Sequence, residues 1–302
     1  MSDRTAHPIG PRFHRIERET WMTYDDLLTG MTAAAREAGE LLRADLLRTD
    51  LPGVVPRPAS ARTFAEFAAA FEAAEAAPAA LLRRRLERLR PGVGWADELD
   101  SLAVLPAEGE RWIVDVIDGA VQFLQGLPQF CVSLALVRDG EPVAAVLHAP
   151  LLGETYRAAR GYGATRDGRP LVPSGKAEPA AAVVATSQPP FPGRQPGVAE
   201  EAGRSLTAVL PHVAAVRNLG PTSWQIADTA AGRLDAFWEF GRDDTNLLPG
   251  ALIAREAGAV VTDMEGRPWT AGADGFLAAG PALHGRLLEV LAGAPRMSPV
   301  AR

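Results

Sequence analysis

The chain has 302 residues, 47% hydrophobic and 23% charged, enough to bury a sizeable core as one large domain or two fused halves. Its net charge of −6 argues against non-specific nucleic-acid binding, so no nucleic-acid partner is expected. A single cysteine, Cys131, excludes an internal disulfide and a cysteine-based zinc cluster.

Residues 1–22 are polar without a clear period and read as an N-terminal arm. They lack the apolar core of a signal peptide, and no stretch has membrane-spanning length, so the expectation is a cytoplasmic protein with no membrane partner. Residues 24–47 carry Leu27, Leu28, Met31, Ala35, Ala38, Leu41 and Leu42 on one stripe, the pattern of an amphipathic helix. After a proline-rich break at 51–60, an alanine-rich helix is expected over 63–77 and a basic one over 78–89, ending at Pro91-Gly92.

From Trp112 the pattern turns to strands. Runs at 132–137 and 143–148 flank Arg138-Asp139-Gly140-Glu141-Pro142, a hairpin signal, and another strand covers 154–159. Cys131 opens this strand-like run and reads as a buried structural thiol. Beyond a proline-rich segment at 188–196, helices are expected near 199–210, 222–232 and 246–257. Strands are expected at 214–218, 235–240 and 259–263. The architecture is layered α and β.

The most informative stretch is Arg111-Trp-Ile-Val-Asp-Val-Ile-Asp-Gly-Ala120. A hydrophobic strand ends in two carboxylates, Asp115 and Asp118, and Gly119 marks a sharp exit. Two ionised carboxylates held so close repel each other, and a hard divalent cation such as Mg²⁺ is the simplest neutraliser. The five histidines are scattered without ligand spacing, and Ser187 and Ser223 have no nearby base-and-orienter pattern, which argues against a serine hydrolase.

Trp112-Ile-Val-Asp-Val-Ile-Asp-Gly-Ala-Val-Gln-Phe123 resembles the W-x-x-D-P-x-D-G-T-x-N-F signature of the inositol monophosphatase family. Residues 35–42, 154–164, 232–241 and 252–258 resemble, in order, further segments of the same family. The resemblance implies an α/β fold of the inositol monophosphatase and sugar phosphatase type, a layered α/β/α/β/α sandwich. It implies a single domain over 23–302, with halves roughly 23–175 and 176–302. It also implies Mg²⁺-dependent hydrolysis of a small phosphorylated metabolite, a phosphomonoester, by water attacking in line. Under it Asp115 bridges two metals, the Ile117 carbonyl binds the first and Asp118 the second. Glu98 fits the upstream acidic ligand, with Asp97 or Asp100 as alternatives. Backbone N–H groups of Gly119 and Ala120 face a phosphate oxygen, and Glu239 contacts substrate hydroxyls. Relatives are often dimers, so the apolar hairpins are a candidate homodimer surface.

Three positions depart from the family pattern. Ala120 replaces a threonine that orients water, and Val116 replaces a proline. Thr245-Asn-Leu-Leu-Pro-Gly250 stands where the family has W-D-x-A-A-G, which puts Asn246 on the last metal-ligand aspartate. Asn246 also reads as a helix N-cap with Pro249 in the first turn, leaving only a weak metal or substrate contact. Asp243 and Asp244 lie on the same loop, and Asp244 is the expected substitute metal ligand. The expectation is a weakened phosphatase with one or two Mg²⁺ sites, the second impaired. The rivals are a repurposed non-hydrolytic enzyme and a binding protein that retains only the fold.

Overall fold

The computed structural model of the chain describes residues 23–47, 62–96, 108–188 and 191–293. The arm expected over 1–22 and the acidic run at 97–100 lie outside the described residues. Among the described residues no helix is long and apolar enough to cross a membrane.

Helix α1 (Tyr24–Leu47) begins where Thr23 Oγ1 accepts the Asp26 N–H, with Asp25 and Asp26 favourably placed at the positive end of the helix dipole. The expected stripe is buried except for Leu41, which is exposed. Helix α2 (Phe64–Leu89) starts with a capping box between Thr63 and Glu66. The two helices expected on either side of Pro78 are therefore one. Proline in a helix interior costs ~3 kcal/mol or more. Here Ala74, Pro78, Leu82 and Leu86 form a buried stripe at fourfold spacing, in one core with Met31, Ala38 and Leu42 of α1. Burying each leucine contributes ~1.5–3 kcal/mol, which outweighs the interruption.

The first sheet follows the chain in order: β1 (Gly94–Trp95), β2 (Glu110–Asp118), β3 (Cys131–Arg138), β4 (Glu141–Ala149), β5 (Glu154–Ala159), β6 (Ala164–Arg166) and β7 (Arg169–Pro170). Only β1 and β2 run parallel. The β3–β4 turn has Asp139 and Gly140 both at positive φ, as the Asp-Gly signal requires. The second sheet has the order β11-β12-β10-β8-β9, built from β8 (Val183–Thr186), β9 (Ala215–Arg217), β10 (Ala236–Phe240), β11 (Val260–Thr262) and β12 (Gly275–Ala279). A short helix, α3 (Ala120–Leu124), follows β2, and α4 (Val198–Val209), α5 (Thr222–Ala230), α6 (Asp244–Glu256) and α7 (Pro281–Ala292) complete the fold.

Strand alternation sorts these elements into five layers. Trp112, Val114, Val132, Leu134 and Val146 face α1 and α2, whereas Ile113, Cys131, Ala135, Leu147 and Tyr156 face the other way. This second face packs on α5 and α6, whose far side meets Ala185, Phe237, Phe276 and Ala278 of the second sheet. Val184, Trp238, Leu277 and Ala279 then pack against α4 and α7. The result is the α/β/α/β/α sandwich that the resemblance implied. Strands β8 and β12 and helix α7 are additions to the sequence reading. In β12 every residue is buried, so its Gly-Phe-Leu-Ala-Ala run shows no alternation to detect.

Pro78→Ala restores a donor to the Ala74 carbonyl and loses two buried methylenes at ~0.8 kcal/mol each, against ~3 kcal/mol of helix propensity. The expected outcome is a gain of about 1 kcal/mol in urea unfolding, and a loss would show that the proline shapes the helix to its partner.

Candidate active site

Strand β2 pairs Asp115 with Ser133 and Asp118 with Cys131, so three steps on β2 match two on β3. This β-bulge decides the site. In a regular strand, residues three apart point to opposite faces; the extra residue returns Asp118 to the face of Asp115, toward α5 and α6. Val116 and Ile117, between them, pack into the core beneath α1 and α2.

The exit from the strand is equally constrained. Gly119 has φ +96°, and a Cβ there would lie 3.0 Å from the Gln129 carbonyl oxygen and 3.1 Å from Phe130 Cβ. Ala120 then opens α3, with no side-chain cap on that helix.

Each aspartate has one oxygen held by a protein donor. Asp115 Oδ1 accepts the Ile117 N–H at 3.0 Å, and Asp118 Oδ2 accepts a hydrogen bond from Ser223 Oγ at the start of α5. The Cys131 thiol lies 3.8 Å from the same oxygen. Burial raises the Asp115 pKa well above the carboxylate range, and the charge of Asp118 adds to the shift. Burial likewise pushes Asp118 up to about 6, against the pull of its hydrogen bonds from Ser223 and Cys131.

Two more carboxylates approach from the second sheet. Glu239, on β10, shares the face of Phe237 and is fully buried; Thr222 Oγ1 donates to its Oε2 at 3.2 Å, and Oε1 receives no hydrogen bond. Burial pushes Glu239 up to about 7, with Asp118 adding repulsion. Asp243, at the N-cap position of α6, is buried beside it and raised well above its ordinary value by burial and then by the Glu239 charge. Among the described residues no Lys or Arg forms an ion pair with any of the four. The four form a buried cluster of like-charged groups.

The described part of the chain thus carries a five-layer sandwich with a carboxylate cluster at the bulged end of β2. A family model described as the inositol monophosphatase family matches residues 24–296. The chain belongs to that family. It is 38% identical over 181 residues to an inositol-1-monophosphatase of Mesorhizobium japonicum, spanning 60% of this chain and 67% of that one. It is 33% identical over 236 residues to the Nus factor SuhB of Pseudomonas aeruginosa, spanning 77% and 83%. The inositol monophosphatase structure from Anabaena aligns with a TM-score of 0.73 at 25% identity, over 90% of this chain and 97% of that one.

Within this inositol monophosphatase fold, the sequence-derived residues separate into three groups. Asp115, Ile117, Asp118, Gly119 and Ala120 lie together at the end of β2, and the Glu239 charge reaches that cluster from β10. Glu98, with its alternatives Asp97 and Asp100, lies outside the described residues. Asn246 and Asp244 require correction. Asn246 is not the N-cap: α6 starts two residues earlier, and the Asn246 amide donates to Asp243 Oδ1 at 2.8 Å. Pro249 accordingly sits inside the helix, past its first turn. Asp244, expected as substitute ligand, stands apart from the cluster: its Oδ1 accepts the Gly272 N–H at 2.8 Å, and the charges acting on it are those of Arg242 and Asp274. Asp243 is the residue that faces the cluster.

Sequence reasoning missed Ser223, whose hydroxyl reaches Asp118 across 105 positions of chain. It also passed over Asp243 in favour of Asp244 as the substitute ligand. The only local signal for either is the start of a helix, which many serines and aspartates share. Gly119→Ala is expected to destabilise the protein by about 1–2 kcal/mol for the left-handed backbone alone, and further through the Gln129 contact. Urea unfolding checks this, and an unchanged midpoint would show that the turn relaxes freely.

Proposed function

We propose that the protein is a Mg²⁺-dependent phosphatase acting on a small phosphomonoester, weakened relative to its family by a neutral residue at one ligand position. The observation carrying this reading is the bulge that places two carboxylates on one face, where among the described residues no Lys or Arg forms an ion pair with them. Family membership and the named inositol-1-monophosphatase relatives support the same chemistry.

The donor chemistry fits the ion. Mg²⁺ takes hard oxygen ligands, keeps several waters, and is commonly held by one or two carboxylates plus a substrate phosphate. That matters because, among the described residues, no three His, Cys, Asp or Glu side chains make a metal-binding group. Asp115, Asp118 and the Ile117 carbonyl would hold the ion, with Glu98 completing the set. Asn246 removes one full charge from the second position, so a second ion is held weakly. Bound magnesium would supply the charge that polarises the phosphoryl group and acidifies the attacking water.

The chain's own groups do the rest. Asp115 orients the attacking water. Gly119 and Ala120 N–H groups, at the opening of α3, receive a phosphate oxygen. Glu239 Oε1 offers an unpaired acceptor to a substrate hydroxyl, and Asn246 borders the same region through the bond its amide donates to Asp243. Ala120 lacks the hydroxyl that would help fix the water. One lost transition-state contact can cost ~10²–10³-fold, so turnover is expected to be slow.

A second reading, a regulatory protein that retains the fold and little chemistry, is favoured by Asn246 and Ala120 together. The Pseudomonas aeruginosa relative named as a Nus factor supports it further.

Phosphate release from a panel of small phosphomonoesters, with Mg²⁺ and with EDTA, tests the first reading. Metal-dependent release is expected, with a loss of at least about a hundredfold in Asp115→Asn. No metal-dependent release from the wild type moves the assignment to the regulatory reading. A second expectation concerns Asn246→Asp. Placing another carboxylate beside Asp243 lowers the melting temperature without metal and increases the stabilisation that Mg²⁺ gives. An unchanged response to Mg²⁺ would remove position 246 from the metal site.

A further inference from the structure

Asp118 is held differently from Asp115, and the difference lies in one side chain. Ser223 is the second residue of α5 and is fully buried, so its hydroxyl has no water to bond. It donates instead to Asp118 Oδ2, and its backbone N–H at the helix start also stabilises the Asp118 carboxylate. The Cys131 thiol sits 3.8 Å from both the Ser223 hydroxyl and Asp118 Oδ2, closing that side with a soft, weakly bonding group. Oδ2 is therefore committed to the protein.

We infer that Ser223 is a positioning residue: its hydroxyl fixes the Asp118 carboxylate so that Oδ1 alone is presented to a divalent cation. The inference rests on the phosphatase reading for the identity of the cation. The physical argument is that of outer-shell hydrogen bonds. A carboxylate free to rotate between two layers loses rotamer entropy whenever it ligates, whereas one already bonded through its second oxygen has lost that freedom on folding. The same arrangement holds Asp115, where the Ile117 N–H takes Oδ1. One donor is part of the bulged strand; the other comes from a helix in the next layer. Ser223 thereby ties the cation-binding end of the first sheet to α5, which also carries Thr222, the donor to Glu239. Full burial closes its hydroxyl off from any substrate, so it has no role as a nucleophile.

The test is calorimetric titration with Mn²⁺, which needs no turnover, on wild type, Ser223→Ala and Ser223→Thr, beside melting temperatures without metal. Outer-shell partners are typically worth about 10–100-fold in metal affinity. Ser223→Ala is expected to bind Mn²⁺ weaker by that factor while folding normally, and the Mg²⁺ needed for half-maximal phosphate release rises in parallel, with kcat at saturating Mg²⁺ less affected. Ser223→Thr, which retains the hydroxyl, is expected to stay within about threefold of wild type, a smaller loss than that outer-shell range. Unchanged Mn²⁺ affinity in folded Ser223→Ala overturns the inference, as does the absence of Mn²⁺ binding by the wild type. If Ser223→Ala does not fold, Ser223→Thr carries the test, and a tenfold loss of affinity in that folded variant overturns it. Weaker Mn²⁺ binding in Ser223→Ala with no phosphate released by any form would leave Ser223 in place and remove the phosphatase reading instead.

Discussion

A strand has a period of two, and two residues three apart on it cannot normally share a face. The extra residue between Asp115 and Asp118, set against Ser133 and Cys131, breaks that rule at the one position where the site needs it broken. Everything else at this end of the molecule follows from it. Val116 and Ile117 remain in the core under α1 and α2, Gly119 takes up a left-handed turn in which a Cβ would crowd the Gln129 carbonyl, and Asp118 arrives under the start of α5.

Bringing carboxylates together in this way opposes folding. Removing an ionised group from water costs several kcal/mol even after relaxation, and repulsion between neighbours adds to it. The raised proton affinities of Asp115, Asp118, Glu239 and Asp243 express that cost. The surrounding layers can bear it because they are extensively apolar: Trp112, Phe123 and Phe130 share a fully buried core with Val116 and Ile117 of the bulge, and Phe237 and Phe276 flank Glu239 on its own face. A polar cluster in a well-packed shell keeps its geometry before any ligand arrives, which is the condition for preorganised binding.

The two neighbouring aspartates at the start of α6 show how narrowly such roles are set. Asp244 secures the loop at Gly272, whereas Asp243, one residue earlier, turns to Glu239 and takes the Asn246 amide. Successive positions at a helix start point about 100° apart, so one residue of difference selects between a loop anchor and a member of the site. Asn246, a neutral residue, answers Asp243 with a donor instead of opposing it with a second charge.

Much of this was legible along the chain. The aspartate pair and Gly119, the hairpin turn at Asp139-Gly140, the stripe of α1 and the layered α/β architecture all depend on local chemistry or on a motif within one segment. What the sequence by itself determined is which residues are acidic, which turn is tight, and which faces are apolar. Only the tertiary structure decided that Pro78 lies within a continuous helix, that Asp243 and not Asp244 joins the cluster, and that Ser223 grips Asp118. The physical reason is that these outcomes are settled by partners brought from distant positions. A buried leucine stripe overrides a proline, a bulge reverses the face of an aspartate, and a helix start from the next layer supplies a hydroxyl that nothing near Asp118 in the sequence announces.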